Sequence, residues 1–154
     1  MEIGAGMGYP ESALSNFAPH PFVLGGVQCA SMEGFLQSLK FSNPEMQRYV
    51  CTLVGRAAKF KGKPKRWWLT QKLHWQGREI DRHSQEYQDL LDRAFAALAQ
   101  VPGFQRALFA TNKAVLEHSI GKSDPHRTVL TQNEFISRLN RIRKELRRKT
   151  PSPV

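Results

Sequence analysis

Glu33, Gln37 and Lys40 follow one another at spacings of four and three residues, which on a helix places a carboxylate, an amide and an amine on one narrow stripe. Met32, Phe35, Leu36 and Leu39 fall on the opposite side, so the same segment has an apolar face to bury. A carboxylate can give and recover a proton, and an amine becomes a nucleophile once it is neutral. Glu33 and Lys40 stand about 10 Å apart in helical rise, beyond the usual ion-pair spacing of four residues, and are placed to bracket a ligand. Taken singly, a glutamate in a first helical turn and a lysine near a helix end are what the macrodipole favours. The segment Leu14-Ser15-Asn16-Phe17 just upstream gives the stripe a polar neighbour.

The elements that must hold these residues are mainly helical. Asn43-Pro44 reads as an N-cap and first helical residue, opening a segment expected to close at Gly55. Ser84 caps a long helix whose Tyr87, Leu90, Leu91, Ala94, Phe95 and Leu98 repeat at three- and four-residue steps, ending before Pro102-Gly103. Thr131 and Glu134 form a capping box for a last helix that turns Phe135, Leu139, Ile142 and Leu146 inward and its arginines outward. One hairpin is expected, with Phe22-Val23-Leu24 and Val27-Gln28-Cys29 flanking Gly25-Gly26. Met1 to Tyr9 is glycine-rich and expected to be loosely held, and Pro151 to Val154 reads as a frayed tail.

The chain has 154 residues, 40% of them hydrophobic, enough for one domain and its core. No apolar run reaches membrane-spanning length and no leader pattern is present, so a cytoplasmic protein with no membrane partner is expected. Cys29 and Cys51 lack metal or redox spacing and read as small buried hydrophobes. The histidines follow no ligand pattern, and Gly121-Lys122-Ser123 lacks the upstream glycine of a phosphate-binding loop. Neither a metal nor an organic cofactor is expected, although the Gly121 backbone is kept as a pyrophosphate contact. The net charge of +10 is concentrated in two stripes. Arg56 to Arg66 holds six basic residues and no acid, and Arg138 to Lys149 holds seven basic residues and one acid. Such stripes suit a polyanion, because each phosphate neutralised releases counterions. Trp67, Trp68 and Trp75 could offer stacking faces for an unstacked base, with either Trp67 or Trp68 expected in the core.

The Ser-Asn-Phe segment, the Glu33/Gln37 stripe and the Lys40-Phe41 pair together resemble the signature of the NADAR (YbiA-like) superfamily. The likeness continues through Leu108 to Thr111, Leu116 to Gly121, and Thr128 to Phe135 with Leu139, Ile142 and Arg143. It implies an N-glycosidase, and a mainly α fold: a single compact YbiA-like helical domain over residues 10–149 with a small N-terminal β-hairpin and flexible termini at 1–9 and 150–154. By the same likeness Lys40 attacks the sugar, and Glu33 moves protons. Its amine must have a lowered pKa, for which burial or a neighbouring cation such as Arg56 suffices. The likeness also makes Asn16 and Phe17 ribose and base contacts with Gln37 beside them, while Trp75 is expected as a further base contact from the aromatic run alone. Many members carry an aspartate followed by Trp-Gly where this chain has His118-Ser-Ile-Gly-Lys-Ser-Asp-Pro-His126, which leaves Asp124 as the nearest acidic candidate. This version looks more like the branch paired with DNA ADP-ribosylating toxins. The expected function is removal of ADP-ribose from a modified base, guanine in DNA, with a DNA ADP-ribosyltransferase toxin as the functional counterpart. The alternatives are an N-glycosidase acting on riboflavin-pathway intermediates and a non-catalytic DNA-binding module built on the Arg138 to Lys149 helix.

Overall fold

In the computed structural model, which describes residues 1–149, the stripe-bearing segment folds as α1, Met32–Ser38. The Ser31 hydroxyl caps it, accepting the Gly34 amide at 3.0 Å and donating to the Leu53 carbonyl at 3.1 Å. The helix is shorter than its periodicity suggests. Leu39 and Lys40 continue it as a tightened turn, their amides donating to the carbonyls of Leu36 and Gln37.

Two helices enclose α1: α2, Pro44–Cys51, capped by Asn43, and α3, Gly55–Gly62. The expected single segment from Pro44 to Gly55 thus ends at Cys51, and Gly55, at φ +54°, starts a new helix. Glycine is what permits the sandwich. A Cβ on Gly34 would lie 2.4 Å from the Leu53 carbonyl oxygen, and one on Gly62 would lie 1.9 Å from Gln37 Oε1.

Hairpin β1, Phe22–Leu24, and β2, Val27–Cys29, turns through Gly25 and Gly26 at φ +56° and +77°. A second hairpin, β3 at Lys72–Trp75 and β4 at Arg78–Asp81, was not expected. Its turn residue Gln76 takes φ +50°, held by its side-chain bond to the Gly25 carbonyl at 2.7 Å and its amide bond to Gln47 Oε1 at 3.0 Å. Helices α4 (Gln85–Leu98), α5 (Pro102–Ala110) and α6 (Gln132–Lys149) complete the described residues, giving a mainly α domain with two small hairpins. Ser84 and the Thr131/Glu134 capping box act as expected. No helix among the described residues is long and apolar enough to cross a membrane.

The core joins α1, both hairpins, α4, α5 and α6. Cys29 and Cys51 are buried in it, unbridged, and the Cys29 thiol donates to the Val27 carbonyl at 3.8 Å. Residues 1–9 are better anchored than expected. Ile3 is fully buried, its amide donates to the Glu117 carbonyl at 2.8 Å, and the Met1 ammonium donates to the Val115 carbonyl at 2.7 Å. The expected frayed tail at Pro151 to Val154 lies outside the described residues.

Arg82 ties the two halves together. Its guanidinium makes a two-pronged bond to Glu134, at 2.7 and 3.1 Å, donates to the Thr128 carbonyl at 3.0 Å and lies 4.8 Å from the Tyr87 ring centre. Burial pushes the Glu134 carboxyl upward, but bonds from Arg82, Gln88 and the Thr131 amide outweigh this and hold it below its ordinary value. The carboxylate therefore contributes stability above its unfolded pKa, lost as pH falls through its folded one. Arg82→Ala is expected to cost about 3–5 kcal/mol in denaturant unfolding, because it leaves a carboxylate largely buried and unpaired.

Candidate active site

The loop 15–17, α1, the end of α3 and the segments 63–68 and 118–130 enclose a cavity of about 560 Å³. The Glu33 amide donates to the Asn16 carbonyl at 3.0 Å, which docks the Ser-Asn-Phe loop onto the first turn of α1. Asn16, Phe17, Glu33, Gln37, Lys40 and Gly121 all line the cavity.

Burial raises the Glu33 pKa, against the opposing effects of a 2.9 Å hydrogen bond from Gln37 Nε2 and the charges of Lys40, Lys59 and His118. Burial lowers the pKa of Lys40; the Glu33 charge opposes this and Lys122 adds to it. The two groups feel one another's charge yet form no ion pair within the described residues, whose ion pairs lie elsewhere. Their environments thus favour a protonated acid and a neutral amine. Gln37 Oε1 lies buried against Gly62 and has no hydrogen-bond partner among the described residues. Leaving such an acceptor unsatisfied costs about 1–3 kcal/mol, so the amide is held by packing and by Glu33.

Three residues expected at the site lie elsewhere. Trp75 is buried in the core with its ring edge-on to Phe35 at 5.2 Å, because strand alternation on β3 turns it inward together with Leu73. Arg56 is exposed on α3 and does not line the cavity, so burial is the first cause of the Lys40 shift and Arg56 contributes nothing to it. Asp124 is exposed and turned to His126, accepting its amide at 2.9 Å and facing its Nδ1 at 3.1 Å, bonds that lower its pKa. Both Trp67 and Trp68 reach the cavity wall from a 3-10 turn, Trp67 from the core and Trp68 half exposed.

Sequence reasoning passed over the individual cations that face the cavity. Lys59, Lys63 and Lys65 come from the first basic stripe, and Lys122 and Arg127 from the opposite wall. With Lys40 they make six cationic side chains facing one carboxylate. His118 was passed over too, although it stands where the family's aspartate was sought.

The second basic stripe is differently used. Arg138 is buried, against the expectation that the α6 arginines face out, and bonds Asp92, the Gln88 side chain and the Glu134 carbonyl. Arg141 shares Asp92, and Arg143 donates to Thr111 Oγ1 and the Ala114 carbonyl at 2.9 Å. No cluster of metal-ligating side chains occurs among the described residues.

The mainly α domain with two small hairpins is a YbiA-like fold. The solved structure of the Escherichia coli protein YbiA superposes with a TM-score of 0.58 at 16% identity, covering 94% of this chain and 83% of that one. The chain belongs to the family described as bacteriophage protein GP30.3, whose model matches residues 8–144. It is 41% identical over 152 residues to an uncharacterized 17.1 kDa protein from the Gp30-rIII intergenic region of Enterobacteria phage T4, covering 95% of this chain and 98% of that protein.

Proposed function

We propose that this protein is an N-glycosidase that removes ADP-ribose from a modified nucleobase, guanine in DNA. The observation that carries the reading is the pairing of Glu33 and Lys40 in one cavity, each shifted by burial toward its neutral form. In this chemistry the neutral Lys40 amine attacks C1 of the ribose as the bond to the base breaks, and the Glu33 proton goes to the departing nitrogen. The Glu33 carboxylate then takes a proton from the new C1–N nitrogen and passes it to the ring oxygen, opening the ring to an iminium. Water adds at C1, and collapse of the resulting carbinolamine frees the lysine and returns a proton to Glu33. The sum is one water consumed, with base and free sugar released.

The cationic walls suit a pyrophosphate, and about 560 Å³ lies within the usual range of small-ligand sites. Membership of a bacteriophage family supports a role against a host DNA ADP-ribosyltransferase toxin, whose product would be the substrate here. The test is to offer ADP-ribosylated DNA and, separately, pyrimidine intermediates of riboflavin synthesis to the purified protein. Released ADP-ribose supports the reading, release of ribose phosphate only from the pyrimidines moves the substrate to the small molecule, and tight DNA binding without product removes the enzyme.

The two stripes are expected to separate. Replacing Lys59, Lys63 and Lys65 with glutamine should weaken DNA binding and reduce the slope of log affinity against log salt by about two, roughly 0.7 per phosphate contact on a single strand. The same change at Lys144, Arg148 and Lys149 should leave turnover near wild type. An equal loss from both sets, read by fluorescence anisotropy across a salt series, would mean that α6 also holds substrate.

A further inference from the structure

His118 is held by contacts that decide what its outer nitrogen can do. Nδ1 lies 2.8 Å from the Ile3 carbonyl oxygen, which can only accept, so in the neutral ring Nδ1 carries the hydrogen and Nε2 the lone pair. The ring stands edge-on to Phe135 with centroids 5.0 Å apart. On its other side a Cβ at Gly121 would fall 2.5 Å from Cδ2 and 3.1 Å from Nε2, so glycine keeps the space beside Nε2 clear. The ring lines the same cavity as Glu33 and Lys40, and Nε2 has no hydrogen-bond partner among the described residues. Once protonated, the ring is near enough for its charge to reach the Glu33 carboxyl.

We propose that His118 Nε2 accepts the proton of the water that adds to C1 and returns it to the Lys40 nitrogen as that bond breaks. This rests on the N-glycosidase reading. At the hydrolytic stage Glu33 is a carboxylate awaiting the hydroxyl proton of the carbinolamine, so a second group is needed for the water. Water attacks the iminium carbon, its proton passes to Nε2, and a neutral carbinolamine is left with an imidazolium. The imidazolium then protonates the nitrogen, the C1–N bond breaks, and Glu33 takes the hydroxyl proton as the aldehyde forms. Lysine, acid and imidazole all return to their starting states. The acidic alternative for such a group, Asp124, is exposed and turned away to His126.

The test uses His118→Asn, whose Nδ2–H stands where Nδ1–H does and keeps the bond to Ile3 while removing the base. The variant is expected to release about one equivalent of free base per enzyme and then stall, with steady-state turnover down about a hundredfold or more. Borohydride should trap more sugar on the protein than in wild type, and millimolar imidazole should restore turnover. His118→Gln is the second variant, used if the first does not fold, and should show the same stall and rescue. Wild-type turnover in either variant overturns the proposal, as does loss of the first equivalent of base together with turnover. If the wild-type protein itself releases no base, the N-glycosidase reading has failed instead, whatever the variants do.

Discussion

Borohydride added during turnover should fix an ADP-ribosyl group to the peptide containing Lys40, and Lys40→Arg should form neither this adduct nor product. The amine sits at the end of the α1 stripe in a buried position where the ammonium form is penalised, the condition under which a lysine becomes a nucleophile at neutral pH. Arginine keeps the charge, but its guanidinium stays protonated and forms no imine. Mass spectrometry of the digested protein checks the site. An adduct on Lys59 or Lys122, or turnover by Lys40→Arg, would move the nucleophile elsewhere in the cavity.

Glu33→Gln should lower turnover by about 10²–10⁴-fold while leaving substrate binding largely intact, because it removes the proton donor and keeps the shape. The same change should raise stability at neutral pH. Burial raises the folded pKa of Glu33 above its unfolded value, so the folded state binds this proton more tightly. The resulting stability is fully present below the unfolded pKa and is lost as pH rises through the folded one. Glutamine has no charge to bury and escapes that loss, so its unfolding midpoint at neutral pH should lie above that of wild type. Since Glu33 must carry a proton and Lys40 must not, the activity profile is a bell. Its limbs are the macroscopic pKa values of the pair, drawn toward each other from the ordinary carboxylate and amine ranges by burial. A midpoint below wild type would show that the carboxylate is stabilising in place.

The stripe was readable because helical period is a local property: four residues from Glu33 to Gln37 and three more to Lys40 leave little freedom in direction. Caps at Ser84 and Thr131 were readable for the same reason, since a hydroxyl reaches an amide three residues on. The second hairpin was not, because Gln76 reaches its left-handed backbone through bonds to Gly25 and Gln47, which lie 51 and 29 residues away. Arg138 misled for a similar reason. Its helix face looked solvated, but Asp92 and Gln88 of α4 supply partners that let a guanidinium be buried. Asp124 and His118 show the limit of reading chemistry by residue type. Six residues apart on one irregular segment, they differ in direction, and only the imidazole points into the cavity.

Gln47 settles how Lys40 can move. Its side-chain amide donates to the carbonyls of Ser38, Phe41 and His74 at 3.1, 3.2 and 2.8 Å, and the His74 amide donates to the Leu39 carbonyl at 2.8 Å. The backbone on both sides of Lys40 is thereby sewn to α2 and β3, although Lys40 itself lies in a turn. What freedom the amine has is that of its methylene chain, while the backbone that carries it is held. The nucleophile is therefore carried on an anchored backbone, and bringing it to C1 calls on side-chain rotation and the seating of the substrate rather than on movement of the turn.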